Sequence, residues 1–292
     1  MISIIITAYK EERTIGKAIE SILGNKIQGS YEILVSAPDK ETLSAARAYS
    51  KRNKKIRLIK DYGKGKSAAL NLALSKAKGE TLILTDGDVY IGENSLKFLI
   101  DAFKDKKIGA ISGNPVSINS KDNMLSYWAY VLTSIANETR IKSIKNNKKI
   151  FCSGYLFAIR KSLFPKLPEN LLSEDGFVSG RVYDSGYLIG YSQKSKVYVK
   201  YPTTFRDWII QKKRSAGGYN QIKKMTGTSL RSFSSESLGA FSLFKYVSNI
   251  KELAWLIELF FARLYLWFVI YKDINLKNKS HKEIWKRVES TK

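Results

Sequence analysis

Cysteine and histidine are nearly absent from the 292-residue sequence: Cys152 and His281 are the only examples of each. A lone cysteine closes no internal disulfide, and the pair of them builds no zinc cluster, so a reducing cytoplasmic setting is expected. His281 lies in a charged tail and is not expected to bind metal. Acidic residues are scarce beside basic ones, 26 against 50, leaving a formal net charge of +24. Such a surface attracts polyanions, whether nucleic acid, acidic lipid headgroups or phosphate-bearing substrates, and charge alone does not choose among them. Apolar residues are not scarce: at 44%, with 12% aromatic, they exclude wholesale disorder. No repeat of solenoid period is present. The opening MISIIITAYKEE has neither a basic leader nor a small-residue cleavage site, and reads as a buried strand rather than a signal peptide.

What is present alternates. Residues 2–8 form a β-branched run ending in a polar turn, and residues 12–23 then place Ile15, Ala18, Ile19 and Ile22 at helical spacing. The unit recurs, with strands over 31–37, 56–60 and 81–85 and helices over 41–52 and 66–77. Strands alternating with helices predict a parallel sheet covered on both faces, with ligands bound beyond the carboxyl ends of the strands. Past residue 113 the pattern loosens into an aromatic helix over 125–136, a basic stretch over 140–149 and a strand-like segment over 150–159. A Ser-rich linker over 229–237, an apolar helix over 253–271 and a charged tail form an appendage. The divisions expected are therefore 1–113, 114–226 and 227–292.

The sharpest local signal is Asp86-Gly87-Asp88, directly after the apolar strand 81–85. Carboxylates at i and i+2 of extended backbone point the same way, the glycine admits a bulky ligand, and hard oxygen donors suit Mg2+ or Mn2+ bound to phosphate oxygens. A short acidic turn capping a strand gives the same three letters, so the motif needs context.

That context is a resemblance. Thr7-Ala8-Tyr9-Lys10-Glu11-Glu12, then Gly63-Lys64-Gly65-Lys66-Ser67-Ala68-Ala69-Leu70-Asn71, then Ala77-Lys78-Gly79-Glu80 running into Asp86-Gly87-Asp88, resemble in order and spacing the donor half of family-two inverting glycosyltransferases. Ser173-Glu174-Asp175, continuing to Arg181 and Asp184-Ser185-Gly186-Tyr187, is similar to that family's acceptor-side helix, and Gln211-Lys212-Lys213-Arg214 to the front of its Q-x-x-R-W motif. The resemblance covers roughly residues 2–215. It implies an α/β fold of the GT-A (Rossmann-like) type, a mainly parallel central sheet flanked by helices, with the C-terminal helical appendage added to it.

Roles follow from the same resemblance. The Thr7-Ala8 turn with Tyr9 and Glu11 would hold the donor nucleotide, Asp86 would contact its nucleoside and share the divalent cation with Asp88, and Arg214 and Lys66 would put positive charge on the diphosphate. Asp175 would take the proton from the attacking hydroxyl, with Glu174 the alternative, because adjacent side chains at a helix start point differently. Gln211 and Gly154 would line the acceptor side. Where the family has an acidic pair after its second strand this chain has Ser36-Ala37-Pro38-Asp39, so Asp39 would contact the base from a shifted place. Ser215 replaces the family's Trp, which is associated with holding a growing polymer, so transfer of single sugars is expected over processive synthesis.

The expected partners are a nucleotide-diphosphate sugar, a UDP-sugar first, and a lipid-linked or glycan acceptor. A membrane surface is expected as well: residues 253–271 approach the length of a spanning helix but carry Glu258 and Arg263 about 140° apart around it, while Trp255, Trp267 and Tyr271 suit the interface. Lying in the inner face of the cell membrane, crossing it, and packing on protein all stay open. A nucleic-acid-binding protein is the competing class; no binding motif of that kind is present, and the acidic strand end repels phosphate without a metal. A nucleotidyltransferase would need a Gly-rich basic loop after the first strand, which TAYKEE is not.

Overall fold

The isoleucine-rich opening strand, β1 (Ile2–Thr7), is buried along its whole length because it lies inside the sheet, paired in parallel with β2 (Tyr31–Ala37) on one side and β4 (Thr81–Asp86) on the other. The computed structural model describes residues 1–169, 171–226, 240–273 and 286–291. The Ser-rich linker, His281 and most of the charged tail lie outside the described residues.

Completing the parallel part of the sheet, β3 (Ile56–Lys60) pairs outside β2. Helices α1 (Ile15–Leu23), α2 (Lys40–Arg52) and α3 (Lys66–Lys76) connect the four strands. Alternation along β1 sends Ile2, Ile4 and Ile6 to one face, against Ile15, Ile19 and Ile22 of α1, and Ile5 to the other, with Leu70 and Ala73 of α3. Each face thereby becomes half of a core. The Ala77-Lys78-Gly79-Glu80 block is structural: the N–H groups of Lys78 and Gly79 donate to Glu32 (2.6 Å) and Ser3 (2.8 Å). A Cβ on Gly79 would fall 2.4 Å from the Ser3 nitrogen, so only glycine fits.

Beyond β4 the sheet turns mixed. Its eight strands run β3-β2-β1-β4-β7-β6-β8-β5, with β5 (Val89–Ile91), β6 (Ile108–Ser117), β7 (Leu156–Arg160) and β8 (Leu188–Val199). Strand β7 is antiparallel to both β4 and β6, and β5 is antiparallel to β8. The strand expected over 150–159 thus begins six residues later, and its direction matters. Because β7 enters where β4 leaves (Thr85 opposite Leu156), residues 153–155 sit at the same sheet edge as Asp86.

Helix α4 (Ser95–Asp101) follows β5, and α5 (Met124–Lys145) is nearly twice the predicted length. Its start is capped by Asn123, which accepts from Ser126 N–H, and Lys142 and Lys145 occupy its last turn, where cations suit the helix dipole. The basic stretch therefore begins as helix, correcting the separate segment expected. α6 (Glu174–Asp184) and α7 (Phe205–Thr226) carry the acceptor-side motifs.

The apolar helix, α8 (Ile250–Tyr271), is no free appendage. Leu256, Leu259, Ala262, Leu266 and Ile270 are buried in a third core with Trp128 and Val131 of α5 and Trp208 of α7. The Trp128 indole N–H donates to the Trp255 carbonyl at 2.6 Å, and Tyr127 donates to the Tyr246 carbonyl at 3.1 Å. Lys213 of α7 forms an ion pair with Asp273. The described end of the charged tail is also packed on the protein, with Val288 and Thr291 buried.

Candidate active site

The first turn after β1 is shaped by its neighbours rather than by its own preferences. Lys10 takes a left-handed backbone (φ 53°), uncommon outside glycine, and its N–H is held by the Asp39 carboxylate at 2.9 Å. Asp39 also caps α2 by accepting from Thr42 N–H (2.9 Å), and Thr42 Oγ1 accepts from Glu11 N–H (2.8 Å). Burial pushes the Asp39 pKa up, but hydrogen bonds from Lys10 and Thr42 outweigh it and hold the carboxyl below its ordinary value. Each Asp39 oxygen is thus engaged in fastening the turn. The turn leaves Tyr9 42% exposed and turns Glu11 inward to 8%. Glu11 lies against Gly87, where a Cβ would meet its Oε2 at 2.3 Å and the Ala8 Cβ at 2.8 Å, so Gly87 admits this packing as no other residue can.

Asp86, at the end of β4, is gripped from two sides. Thr7 Oγ1 donates to its Oδ1 at 3.1 Å, and the Lys66 ammonium stands 2.7 Å from the same atom. Lys66 opens α3 immediately after Gly65, whose φ of 94° makes the sharp bend into the helix. Burial disfavours the Lys66 charge, yet Asp86, Glu174 and Asp175 together raise its pKa above the ordinary lysine value. That single ammonium therefore feels both acidic clusters.

The second cluster is built at the start of α6. Ser173 is the N-cap, accepting from Gly176 N–H at 3.3 Å. Asp175 accepts from Ser173 Oγ (2.6 Å) and Gly176 N–H (2.9 Å) on one oxygen, and from Gly154 N–H (2.9 Å) on the other. Three donors on a carboxylate with about four lone-pair sites leave one for a ligand. Glu174 lines the cleft beside it; burial raises its pKa, and Lys66 only partly offsets that.

The Gly154–Tyr155 dipeptide joins the two sides. Gly154 N–H holds Asp175, while the Tyr155 carbonyl accepts from Thr85 Oγ1 at 2.9 Å, one residue before Asp86. Tyr155 is half-buried, and burial, with the charges of Asp88, Asp86 and Asp175 opposed by that of Arg214, pushes its phenol well above the ordinary value. Gln211 of α7 reaches the Tyr155 hydroxyl at 3.5 Å, and its own Oε1 is buried without a hydrogen-bond partner. One cleft is lined by Thr7, Lys66, Asp86, Gly154, Glu174 and Asp175. Gln211 reaches Tyr155, whose phenol also feels the charges of Arg214 and Asp88, and Tyr9, Glu11 and Asp39 belong to the outer turn and its clamp. Tyr155 is the participant that sequence reasoning missed; the signal was its position, directly before an apolar strand, matching that of the acidic pair after one. Among the described residues no group of three or more His, Cys, Asp or Glu side chains is assembled for a metal.

With fold and cleft defined, comparison with known proteins is informative. The glycosyl transferase family 2 model matches residues 3–167, more than half of the chain. The chain belongs to glycosyl transferase family 2, and with it to the glycosyltransferases. It is 25% identical over 236 residues, 76% of its length, to the probable glycosyltransferase YdaM of Bacillus subtilis. The chain spans between 43% and 62% of the length of three curated relatives it matches. Among solved structures, the mannosyltransferase PcManGT of Pyrobaculum calidifontis, in complex with GDP-Man and Mn2+, superposes with a TM-score of 0.64 at 17% identity, covering 96% of this chain and 88% of that one. Glucosyl-3-phosphoglycerate synthase of Mycobacterium tuberculosis, bound to Mn2+, UDP and glucosyl-3-phosphoglycerate, gives 0.53 at 17% identity, with 78% and 80% covered. The fold is the GT-A fold of these structures.

Proposed function

We propose that the chain transfers a sugar, with inversion, from a nucleotide-diphosphate donor to a hydroxyl of a lipid-linked or surface-glycan acceptor, one sugar per encounter. The observation that carries this reading is the shared cleft: strand-end Asp86 and helix-start Glu174 and Asp175 face it together, with Lys66 bridging them electrostatically.

Asp86 and Asp88 fit a divalent cation. Mg2+ and Mn2+ in phosphate sites take one or two carboxylates and complete their shell with water and phosphate oxygens, so a two-carboxylate edge is the appropriate donor set. The ammonium beside Asp86 marks the same edge as one that attracts positive charge. When bound, the cation neutralises charge on the departing diphosphate. Everything else falls to side chains. Tyr9, Glu11 and the turn pinned by Asp39 hold the nucleoside. Lys66 and Arg214 oppose the negative charge that builds on the leaving group. Asp175, fixed by three donors, accepts the proton of the incoming hydroxyl as its oxygen displaces the nucleotide at the anomeric carbon, and a single displacement inverts that centre. Gln211 and Gly154 line the acceptor's approach.

The most direct test is a panel of nucleotide sugars scored by thermal stabilisation with Mn2+. One donor, a UDP-sugar on this reading, should raise the midpoint by several degrees, and chelator should abolish the shift; at a hundred times its Kd a ligand contributes about 2.7 kcal/mol. A panel with no metal-dependent shift would overturn the donor assignment.

The same proposal puts the enzyme on the inner face of the cell membrane, lying in the interface. α8 has a second apolar face, opposite the buried one: Ile257, Phe260, Phe261, Leu264, Tyr265 and Phe268 are all exposed. It is the one helix among the described residues long and apolar enough to span, yet its inner face is committed to α5 and α7. A half-docked helix with an aromatic outer stripe on a strongly basic protein suits the headgroup boundary better than the bilayer centre. Phe261→Asp with Phe268→Asp should weaken sedimentation with phosphatidylserine-containing vesicles more than about tenfold, since each Phe contributes roughly 1.5–3 kcal/mol when buried. Unchanged partitioning would refute the interfacial placement, and loss of a concentration-dependent dimer instead would assign the stripe to a second copy.

A further inference from the structure

The described C-terminal residues pack against the turn after β1 and the start of α7. Arg287 donates through its Nη2 to the carbonyl of Lys10 at 2.6 Å, 277 positions earlier in the chain. Glu289 steadies the same guanidinium from its other nitrogen at 2.8 Å. Three residues on, the segment is anchored again: Ser290 N–H donates to Asp207 at 2.8 Å, and Ser290 Oγ accepts from Thr203 N–H at 3.2 Å. Val288, between these anchors, and Thr291, just beyond the second, are both buried. The segment therefore spans from the turn after β1 to the first turn of α7, the helix that carries Gln211 and Arg214.

The residue it grasps is the strained one. A non-glycine residue in the left-handed region costs on the order of 1 kcal/mol and persists only where its surroundings over-determine it. Lys10 is held at both peptide groups, its N–H by Asp39 and its carbonyl by Arg287. That backbone conformation in turn sets Tyr9 outward and Glu11 inward. Arg287 also keeps a buried Nε–H with no hydrogen-bond partner, a cost of roughly 1–3 kcal/mol that a purely structural contact would have no reason to retain.

Resting on the donor assignment above, we propose that residues 287–291 form a strap completing the donor-nucleotide site, with Arg287 a positioning residue that holds the Tyr9–Glu11 turn in its nucleotide-binding shape. The reaction's two halves are thereby tied together at their outer edge by the far end of the chain.

Calorimetric titration of UDP and of GDP, each with Mn2+, into the full chain tests this alongside steady-state kinetics. Arg287→Ala should weaken nucleotide binding and raise the donor KM by about tenfold or more, the usual scale of a lost charged hydrogen bond, with kcat at saturating donor within about twofold. Arg287→Lys should recover part of the loss, since an ammonium can still reach the Lys10 carbonyl. Asp207→Ala, at the strap's other anchor and outside the donor turn, should weaken nucleotide binding in the same direction. Unchanged binding in Arg287→Ala overturns the strap, and so does a fall of kcat, donor affinity and melting temperature together, which marks a merely structural tail. A wild-type chain that binds neither nucleotide overturns the donor assignment and this inference with it. A wild-type chain that binds while Arg287→Ala binds equally overturns this inference alone.

Discussion

Asp88→Ala is expected to abolish sugar transfer and metal-dependent donor binding while leaving the fold intact. Asp88 is half-exposed, two residues beyond a strand whose core contacts come from Leu82, Ile83 and Leu84. Surface substitutions of this kind usually change stability by less than about 0.5 kcal/mol, so the melting temperature of the unliganded variant should match wild type. The cation's stabilisation of the leaving diphosphate amounts to several kcal/mol, so turnover should fall by about a thousandfold or more, and wild type in chelator should behave like the variant. Asp86→Ala is a less clean experiment, because it also strands the Lys66 ammonium. Unchanged turnover in Asp88→Ala would remove the metal from the mechanism.

The second large effect belongs to the proton. Asp175→Asn should slow transfer by about 10²–10⁴-fold, the usual range for a lost general base, with donor affinity nearly unchanged. Because the Gly154 and Gly176 N–H groups both donate to this carboxylate, the amide will lose at least one of them, and melting curves should accompany the kinetics. Glu174→Gln is the discriminating partner. Its carboxyl lines the same cleft, and burial raises its pKa more than the Lys66 charge lowers it. If Glu174→Gln is inert and Asp175→Asn keeps full activity, the base passes to Glu174.

The donor half was legible because its signals are local. The strands over 31–37 and 56–60 fall where β-branched runs sit between turn residues, and α1 where isoleucines recur at helical spacing. The acceptor half resisted for equally physical reasons. β6 carries two glycines and a proline, and gains its strand character from pairing with β7 and β8 rather than from its own residues. β8 alternates weakly because Gln193, Lys194 and Lys196 interrupt it, and a register shift against β6 falls beside them. Glu258 and Arg263 obscured α8, although two opposed apolar faces are what its sequence encodes. At the site, residue types at strand ends suggested where to look, and the resemblance supplied roles. Asp39 as a clamp on Lys10, Tyr155 between the carboxylates and Arg287 at the outer turn all depend on contacts made across long stretches of chain.

The opposed direction of β7 has a mechanical consequence. Asp86 closes β4 and Gly154 lies two residues ahead of its antiparallel neighbour β7, with Thr85 Oγ1 bonded to the Tyr155 carbonyl, so the floor between them cannot widen without breaking that ladder and that bond. On the proposed reading, a bulky acceptor enters and the spent nucleotide leaves by movement of the walls, α6, α7 and the outer turn, over a floor of fixed span.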